Sequence, residues 1–87
     1  MLKIRRVAAS GMVRLIVSGR IASQELPQLR ELVGAEHASD LVLDLSEVSL
    51  VDVEVVRFLV QCDAQGIRLE GCPAYIREWM TREGAPR

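Results

Sequence analysis

Residues 41–60, LVLDLSEVSLVDVEVVRFLV, decide the fold of this chain. The segment opens with the run Leu41–Leu45, which is apolar except for Asp44 and is typical of a buried, central strand. Asp52 then precedes an apolar stripe at helical spacing, so it is predicted to cap a helix from Val53 to about Gln65. Three apolar residues between strand and helix are expected to fold back onto the core: Val48, Leu50 and Val51.

A β-hairpin is predicted before this segment. The runs Leu2–Ala8 and Met12–Ser18 are separated by Ser10-Gly11, a pair that favours a tight turn. The second run alternates in polarity, as expected of a strand with one buried face. Gly19 is expected to end that strand.

Two further helices flank the central segment. The first is predicted to begin at a Ser23 cap and to end at Gly34, or to continue to about Ala38 with that glycine tolerated. The last is predicted over residues 73–82, with a proline at its first position. Residues 81–87 are expected to form a frayed tail.

The element order is therefore β-β-α-β-α-β-α, with a fourth strand at Ile67–Glu70. Strands joined by helices should be parallel through right-handed crossovers, whereas the hairpin makes the first strand antiparallel. We predict an α/β fold in which residues 1–87 form a single domain, with a four-stranded mixed sheet and helices on one face. The other face is expected to be half wet, carrying Arg14, Ile16, Val42, Asp44, Arg68 and Glu70.

Composition favours one small globular domain. The chain has 87 residues, 49% of them apolar, which suffices for one core and leaves no room for a second. A net charge of −1 argues against a nucleic-acid partner. No apolar run approaches the roughly 20 residues that membrane insertion requires. Charges interrupt the apolar N-terminus, so we expect a cytoplasmic location without a signal peptide, and Cys62 and Cys72 as reduced structural thiols.

Few residues could support catalysis or hold a cofactor. Cys62 lies on an apolar helix face, and His37, the single histidine, lies far along the chain from it. Asp44 and Asp52 bracket the central loop, but ending a strand and capping a helix explain both. The sequence has no glycine-rich phosphate loop. We therefore expect no enzymatic activity, no metal and no cofactor.

Four stretches have a composition and an order that point to one family: Val17–Ile21, Leu43–Asp52, Gly66–Leu69 and Cys72–Ala74. Together they resemble the STAS domain family, named for sulphate transporters and anti-sigma factor antagonists. The resemblance extends over about residues 12–80. It implies an anti-sigma factor antagonist-like regulatory domain in which the loop before the second helix is a regulatory surface.

The chain departs from the family pattern at the residues used for regulation. Regulatory members read Asp-Ser-Ser/Thr-Gly, whereas this chain reads Asp52-Val53-Glu54-Val55. Val53 replaces the phosphorylatable serine, Val55 replaces the glycine, and Ala22 stands where many members have an aspartate. The resemblance therefore implies a degenerate member that is not switched by phosphorylation at the usual loop serine.

The start of the second helix has two interpretations. In the first, Asp52 is a cap, and Glu54 offsets the helix dipole and pairs with Arg57. In the second, this helix start is a partner-binding surface formed by Asp52, Val53, Glu54 and Arg57. Val53 is neutral and close in size to an unmodified serine, so such a surface would be held in a binding-competent state.

Trp79 is a further candidate for partner binding. The pairs Tyr75–Trp79 and Ile76–Met80 each stand four residues apart on the third helix, and one narrow stripe cannot easily bury both. Either all four side chains cover the core, or one aromatic edge is exposed as an interface anchor.

Three functions remain open from the sequence. A protein-binding regulatory domain would meet an anti-sigma-factor-like kinase or act as an accessory subunit of a transport complex. A small-ligand binder would take a nucleotide, which requires basic groups near a helix N-terminus. A homodimer could form through the open sheet face or the third helix. The second helix begins with acidic residues, which favours a protein partner over a nucleotide.

Overall fold

The fold is built on a four-stranded sheet in the order β1-β2-β3-β4. The computed structural model describes residues 2–84. Three α-helices follow the strands in the predicted order β-β-α-β-α-β-α, which confirms the α/β fold. The elements are β1 (Lys3–Ala9), β2 (Met12–Ile21), α1 (Leu26–Gly34), β3 (Leu41–Val51), α2 (Val53–Ala64), β4 (Arg68–Glu70) and α3 (Ala74–Gly84), with 3-10 turns at Ser23–Glu25 and Ala38–Asp40.

The first two strands form the predicted hairpin. Ser10 and Gly11 both have positive φ angles, 54° and 78°, which is the geometry of a type I′ turn. Ala9 and Met12 flank that turn and lie opposite each other. Type I′ geometry matches the right-handed twist of paired strands, so this turn fixes the register of β1 on β2.

The remaining strand pairs are parallel, as the helical crossovers require. Leu43 of β3 lies opposite Leu15 of β2 on one side and Leu69 of β4 on the other. β3 is therefore the central strand, as predicted. β4 pairs with Val42–Asp44, so in the described part of the chain the later residues of β3 have a neighbouring strand on one side only.

β3 continues to Val51 instead of ending after its apolar run, which corrects the predicted loop. β2 likewise passes Gly19 and reaches Ile21, and the two strands pair over this added length. Val48 is buried as expected, but Leu50 is 56% exposed. The expectation that Leu50 folds back onto the core is wrong, because strand pairing holds the segment extended and directs that side chain outward.

The predicted Ser23 cap is also wrong. Ser23 opens a 3-10 turn, and the carboxylate of Glu25 accepts a hydrogen bond from the Ala22 N–H at 2.8 Å. A carboxylate three residues into a helix start can satisfy a free backbone N–H in this way. α1 then ends at Gly34, which was one of the two predicted ends.

The other two helices agree closely with the sequence pattern. α2 begins at Val53 as predicted and ends at Ala64, one residue before the predicted end. α3 continues to Gly84, so residues 81–84 are helical where fraying was expected. Residues 85–87 of that expected tail lie outside the described residues.

The core lies between the sheet and the three helices. Leu43 and Leu59 are 1% and 2% exposed, and such burial stabilises a fold by about 1.5–3 kcal/mol per side chain.

The turn from β4 to α3 runs close against β3. Gly71 has a φ of +65°, and a Cβ there would lie 2.7 Å from the Cβ of Ser46. Glycine thus allows the close approach that places α3 beside β3.

The face of the sheet opposite the core carries an ion-pair cluster. Arg14 donates hydrogen bonds to Asp44 at 3.2 Å and to Glu70 at 2.8 Å, so three adjacent strands are joined by charged side chains. Val42 was expected on a half-wet face but is only 4% exposed. It lies between Arg14 and Arg68 in the strand register, and the stems of long basic side chains can cover an apolar neighbour.

Candidate functional site

Asp52 joins the ends of two neighbouring parallel strands. It has an extended backbone, and its carboxylate accepts a hydrogen bond from the Val55 N–H at 3.2 Å, as the predicted N-cap of α2. The second carboxylate oxygen accepts from the N–H of Ser23 at 2.7 Å, beyond the end of β2. One side chain therefore holds the start of α2 against the turn that leads into α1.

The charge on Asp52 is favoured by these contacts. Desolvation alone would raise the pKa of the Asp52 carboxyl. The N–H donors of Ser23 and Val55 outweigh that effect, so the pKa is lowered below its usual value. Asp52 is thus ionised at neutral pH, and it already occupies the Val55 N–H, one of the donors that an anion at the start of α2 would need.

The first turn of α2 is linked to α3 by charged side chains. Arg57 donates hydrogen bonds to Glu54 and to Glu83, both at 3.0 Å. The Arg57 side chain is 58% exposed, and exposed pairs of this kind contribute little to stability. Val53 is half-buried, so only part of this residue faces solvent. The predicted Glu54–Arg57 pair is confirmed, and its connection to α3 is new.

The aromatic residues of α3 lie along the same side of the molecule. Tyr75, Trp79 and Glu83 are spaced by four residues, and Glu83 is the partner of Arg57. The Tyr75 hydroxyl donates to the Ser49 carbonyl of β3. The sequence left open whether all four large side chains of α3 cover the core or one aromatic edge is exposed. Tyr75 is 44% exposed and Trp79 is half-buried, which decides this question. One aromatic side chain is exposed beside β3, while Ile76 and Met80 are buried in the core.

Leu50 is a residue of this surface that the sequence reasoning missed. It lies at the end of β3, next to Ser49, and borders an open groove of about 340 Å³ with Arg20 and Asp52. Simple strand alternation would not have indicated its exposure, because it directs the buried Val48 to the same face, and the pairing of β2 with β3 changes register twice between Asp44 and Leu50. We refer to one set of residues as the α2–α3 surface: Leu50, Asp52, Val53, Glu54, Arg57, Tyr75 and Trp79.

The groups considered for catalysis are not brought together. Cys62 is buried, and desolvation raises the pKa of its thiol to about 11. His37 is exposed between α1 and β3. Asp44 accepts hydrogen bonds from the Ser46 hydroxyl and the Arg14 guanidinium, and the Ser46 bonds lower its pKa. Within residues 2–84, no cluster of three or more potential metal ligands is present.

The length and polarity of the helices bear on whether one of them could span a membrane. None of the helices in residues 2–84 has the length and apolar character needed to cross one.

The comparisons with known proteins agree with this architecture. A family model described as "Mlab, STAS domain" matches residues 4–84. The chain belongs to the STAS domain family. The predicted resemblance is therefore confirmed over nearly the whole chain.

Solved structures also resemble this STAS domain at low sequence identity. The crystal structure of Mglu matches with a TM-score of 0.60 and 19% identity, over 76% of this chain and 18% of that one. This likeness shows the fold alone. An uncharacterised DUF3478-family protein from Shewanella loihica PV-4, described as having a SpoIIAA-like fold, has 14% identity and a TM-score of 0.47, over 94% of this chain and 75% of that one. Comparison with curated proteins gives no match.

Proposed function

We propose that this chain is a cytoplasmic, non-enzymatic regulatory domain of the anti-sigma factor antagonist type, and that it binds another protein through the α2–α3 surface. The observation that best supports the proposal is the exposure of Leu50 and Tyr75, at 56% and 44%, beside the charged start of α2. Apolar side chains exposed next to a charged rim are typical of protein interfaces.

The proposed partner is a protein of one of two classes. The STAS resemblance implies an anti-sigma-factor-like kinase or a component of a transport complex. A nucleotide is a poorer fit, because phosphate groups bind at helix starts through free N–H groups. Here the ionised Asp52 accepts from the Ser23 and Val55 N–H groups, and Glu54 adds a second negative charge.

We also propose that phosphorylation of the loop does not switch this interaction. Val53 offers no hydroxyl at the position after Asp52. The Ser46 hydroxyl donates to Asp44 at 2.7 Å, and Ser46 lies in β3 rather than at the helix start. The surface would then remain in one binding state, and regulation would depend on the amounts of the partners.

The non-enzymatic part of the proposal is supported by the state of the candidate nucleophile. A thiolate, not a thiol, is the reactive form of cysteine. The pKa of Cys62 is raised to about 11, so its thiol is protonated at neutral pH, and its side chain is only 2% exposed.

The chain offers a matched pair of variants for testing the proposed surface. Leu50 and Ala64 are both exposed apolar residues, but Ala64 is the last residue of α2, at the end opposite the proposed surface. The wild type, Leu50→Ser and Ala64→Ser would each be used to capture partners from an extract of the native organism, with circular dichroism melts as the folding control. We expect Leu50→Ser to lose a partner that Ala64→Ser retains. Equal capture by both folded variants would place the interface elsewhere.

A further inference from the structure

The outer edge of the sheet at β1 is open. Within residues 2–84, β1 pairs with β2 alone. It has seven residues, and all of them are exposed except the half-buried Ile4. The residues that flank a two-residue hairpin turn form a hydrogen-bonded pair, and the pairing then alternates along the strand. Ala9 is such a residue, so the backbone N–H and C=O groups of Ile4, Arg6 and Ala8 point away from β2.

This edge carries positive charge on both faces of the sheet. Arg6 pairs with Glu36 at 3.0 Å on the helix side. Lys3 and Arg5 lie on the opposite side, and neither forms an ion pair with any residue from 2 to 84. They border a groove of about 510 Å³, which is lined by Lys3, Ile4, Arg5, Ile16, Ser18 and Glu47. The edge therefore offers unpaired backbone groups beside two free cations and a partly apolar groove.

A second copy of the chain fits this edge poorly. If two β1 strands paired antiparallel over their full length, Arg6 would lie opposite Arg6 of the other copy. Like charges directly opposite each other destabilise a strand pair. Lys3 and Arg5 of both copies would add to the repulsion, as basic residues on edge strands commonly do. The charge pattern thus disfavours self-pairing and favours an acidic strand.

We propose that the β1 edge binds an extended acidic segment of a partner protein, which adds a fifth strand to the sheet. Main-chain hydrogen bonds to Ile4, Arg6 and Ala8 would supply affinity, and carboxylates at alternate positions would face Lys3 and Arg5. This binding surface is separate from the α2–α3 surface and does not depend on the function proposed for it.

A synthetic peptide tests the proposal directly. The probe is the blocked peptide Glu-Val-Glu-Thr-Glu-Val-Glu, which matches β1 in length, and its control carries lysine in place of every glutamate. We expect saturable binding of the acidic peptide that weakens as salt is raised. Amide hydrogen exchange measured by NMR should slow at Ile4, Arg6 and Ala8 and stay unchanged at Arg5 and Val7. Absent binding, or binding without this alternating protection, would overturn the proposal.

Charge-reversal variants provide a second test. The double variant Lys3→Glu/Arg5→Glu should bind the acidic peptide at least about fivefold more weakly. Its control, Arg77→Glu/Arg82→Glu, alters net charge equally on exposed positions of α3 and should change affinity by less than about twofold. Equally weakened peptide binding in both double variants would show that the peptide is attracted by net charge only, and this result would overturn the proposal. A wild-type dimer with a protected β1 edge in the absence of peptide would also overturn it, in favour of self-pairing.

Discussion

Replacing Asp52 should destabilise the fold by an amount that depends on which of its two contacts survives. Asp52→Ala removes the N-cap bond to Val55, which costs about 1 kcal/mol, and the bond to Ser23. A partly exposed, charge-assisted bond adds about another 1 kcal/mol, so the total is about 2 kcal/mol. Asp52→Asn keeps one acceptor oxygen and caps helices well, so its cost should be about 1 kcal/mol.

The pH dependence gives this prediction a definite sign. Contacts with Ser23 and Val55 N–H groups lower the pKa of Asp52 in the folded state. Its charge therefore adds stability above the unfolded pKa of about 3.9, and this contribution disappears as pH falls through the folded value. Urea unfolding at pH 7 and at steps down to strong acid would measure the difference between wild type and Asp52→Asn.

Two results would refute this reasoning. If Asp52→Ala and Asp52→Asn unfold at the same urea concentration as wild type at pH 7, neither contact stabilises the fold. The second result is a difference in stability between wild type and Asp52→Asn that stays constant from pH 7 into acid. The carboxylate charge would then play no part, and the cost of the asparagine would be steric.

Three other predictions concern the core, the thiols and the loop. Leu59→Ala should lower the free energy of unfolding by about 2–5 kcal/mol, since this side chain is 2% exposed, and a loss under about 1 kcal/mol in urea unfolding would contradict its place in the core. Iodoacetamide should alkylate the half-buried Cys72 before Cys62, because burial raises the pKa of the Cys62 thiol to about 11. Equal alkylation rates of the two thiols in peptide mass spectrometry would contradict this. A STAS-directed kinase should leave the wild type unmodified and phosphorylate the Val53→Ser variant. A phosphate found by mass spectrometry on a β3 serine of the wild type would disprove this prediction.

Local signals in the sequence predicted most of the fold. The Ser10-Gly11 turn, the apolar run of β3 and the helical stripe after Asp52 each act over a few neighbouring residues. These signals were enough to obtain the element order, the parallel pairing and the cap of α2. They succeeded because turn geometry, strand alternation and helix capping depend on nearby atoms.

The errors have different physical origins. Leu50 was expected to be buried because its pattern resembles a loop packing on the core, but pairing of β3 with the distant, extended end of β2 exposes it. Ser23 was expected to cap a helix, but the helical turn begins one residue earlier, where the Glu25 carboxylate accepts from the Ala22 N–H. A distant contact decided the first position, and a choice between neighbouring caps decided the second. The candidate site was therefore predicted in part: its α2 residues were named, whereas Leu50 and the link from Arg57 to α3 were not.

The central claim, that the start of α2 binds a partner protein, is tested most directly by the affinity of the purified partner for three forms of residue 53. Val53→Asp places a charge beside Asp52 and Glu54, as phosphorylation of a serine there would, while Val53→Asn has the same shape without the charge. Isothermal titration calorimetry should show binding at least about tenfold weaker for the aspartate variant, and within about threefold of wild type for the asparagine variant. Equal affinities for all three folded proteins would contradict the account.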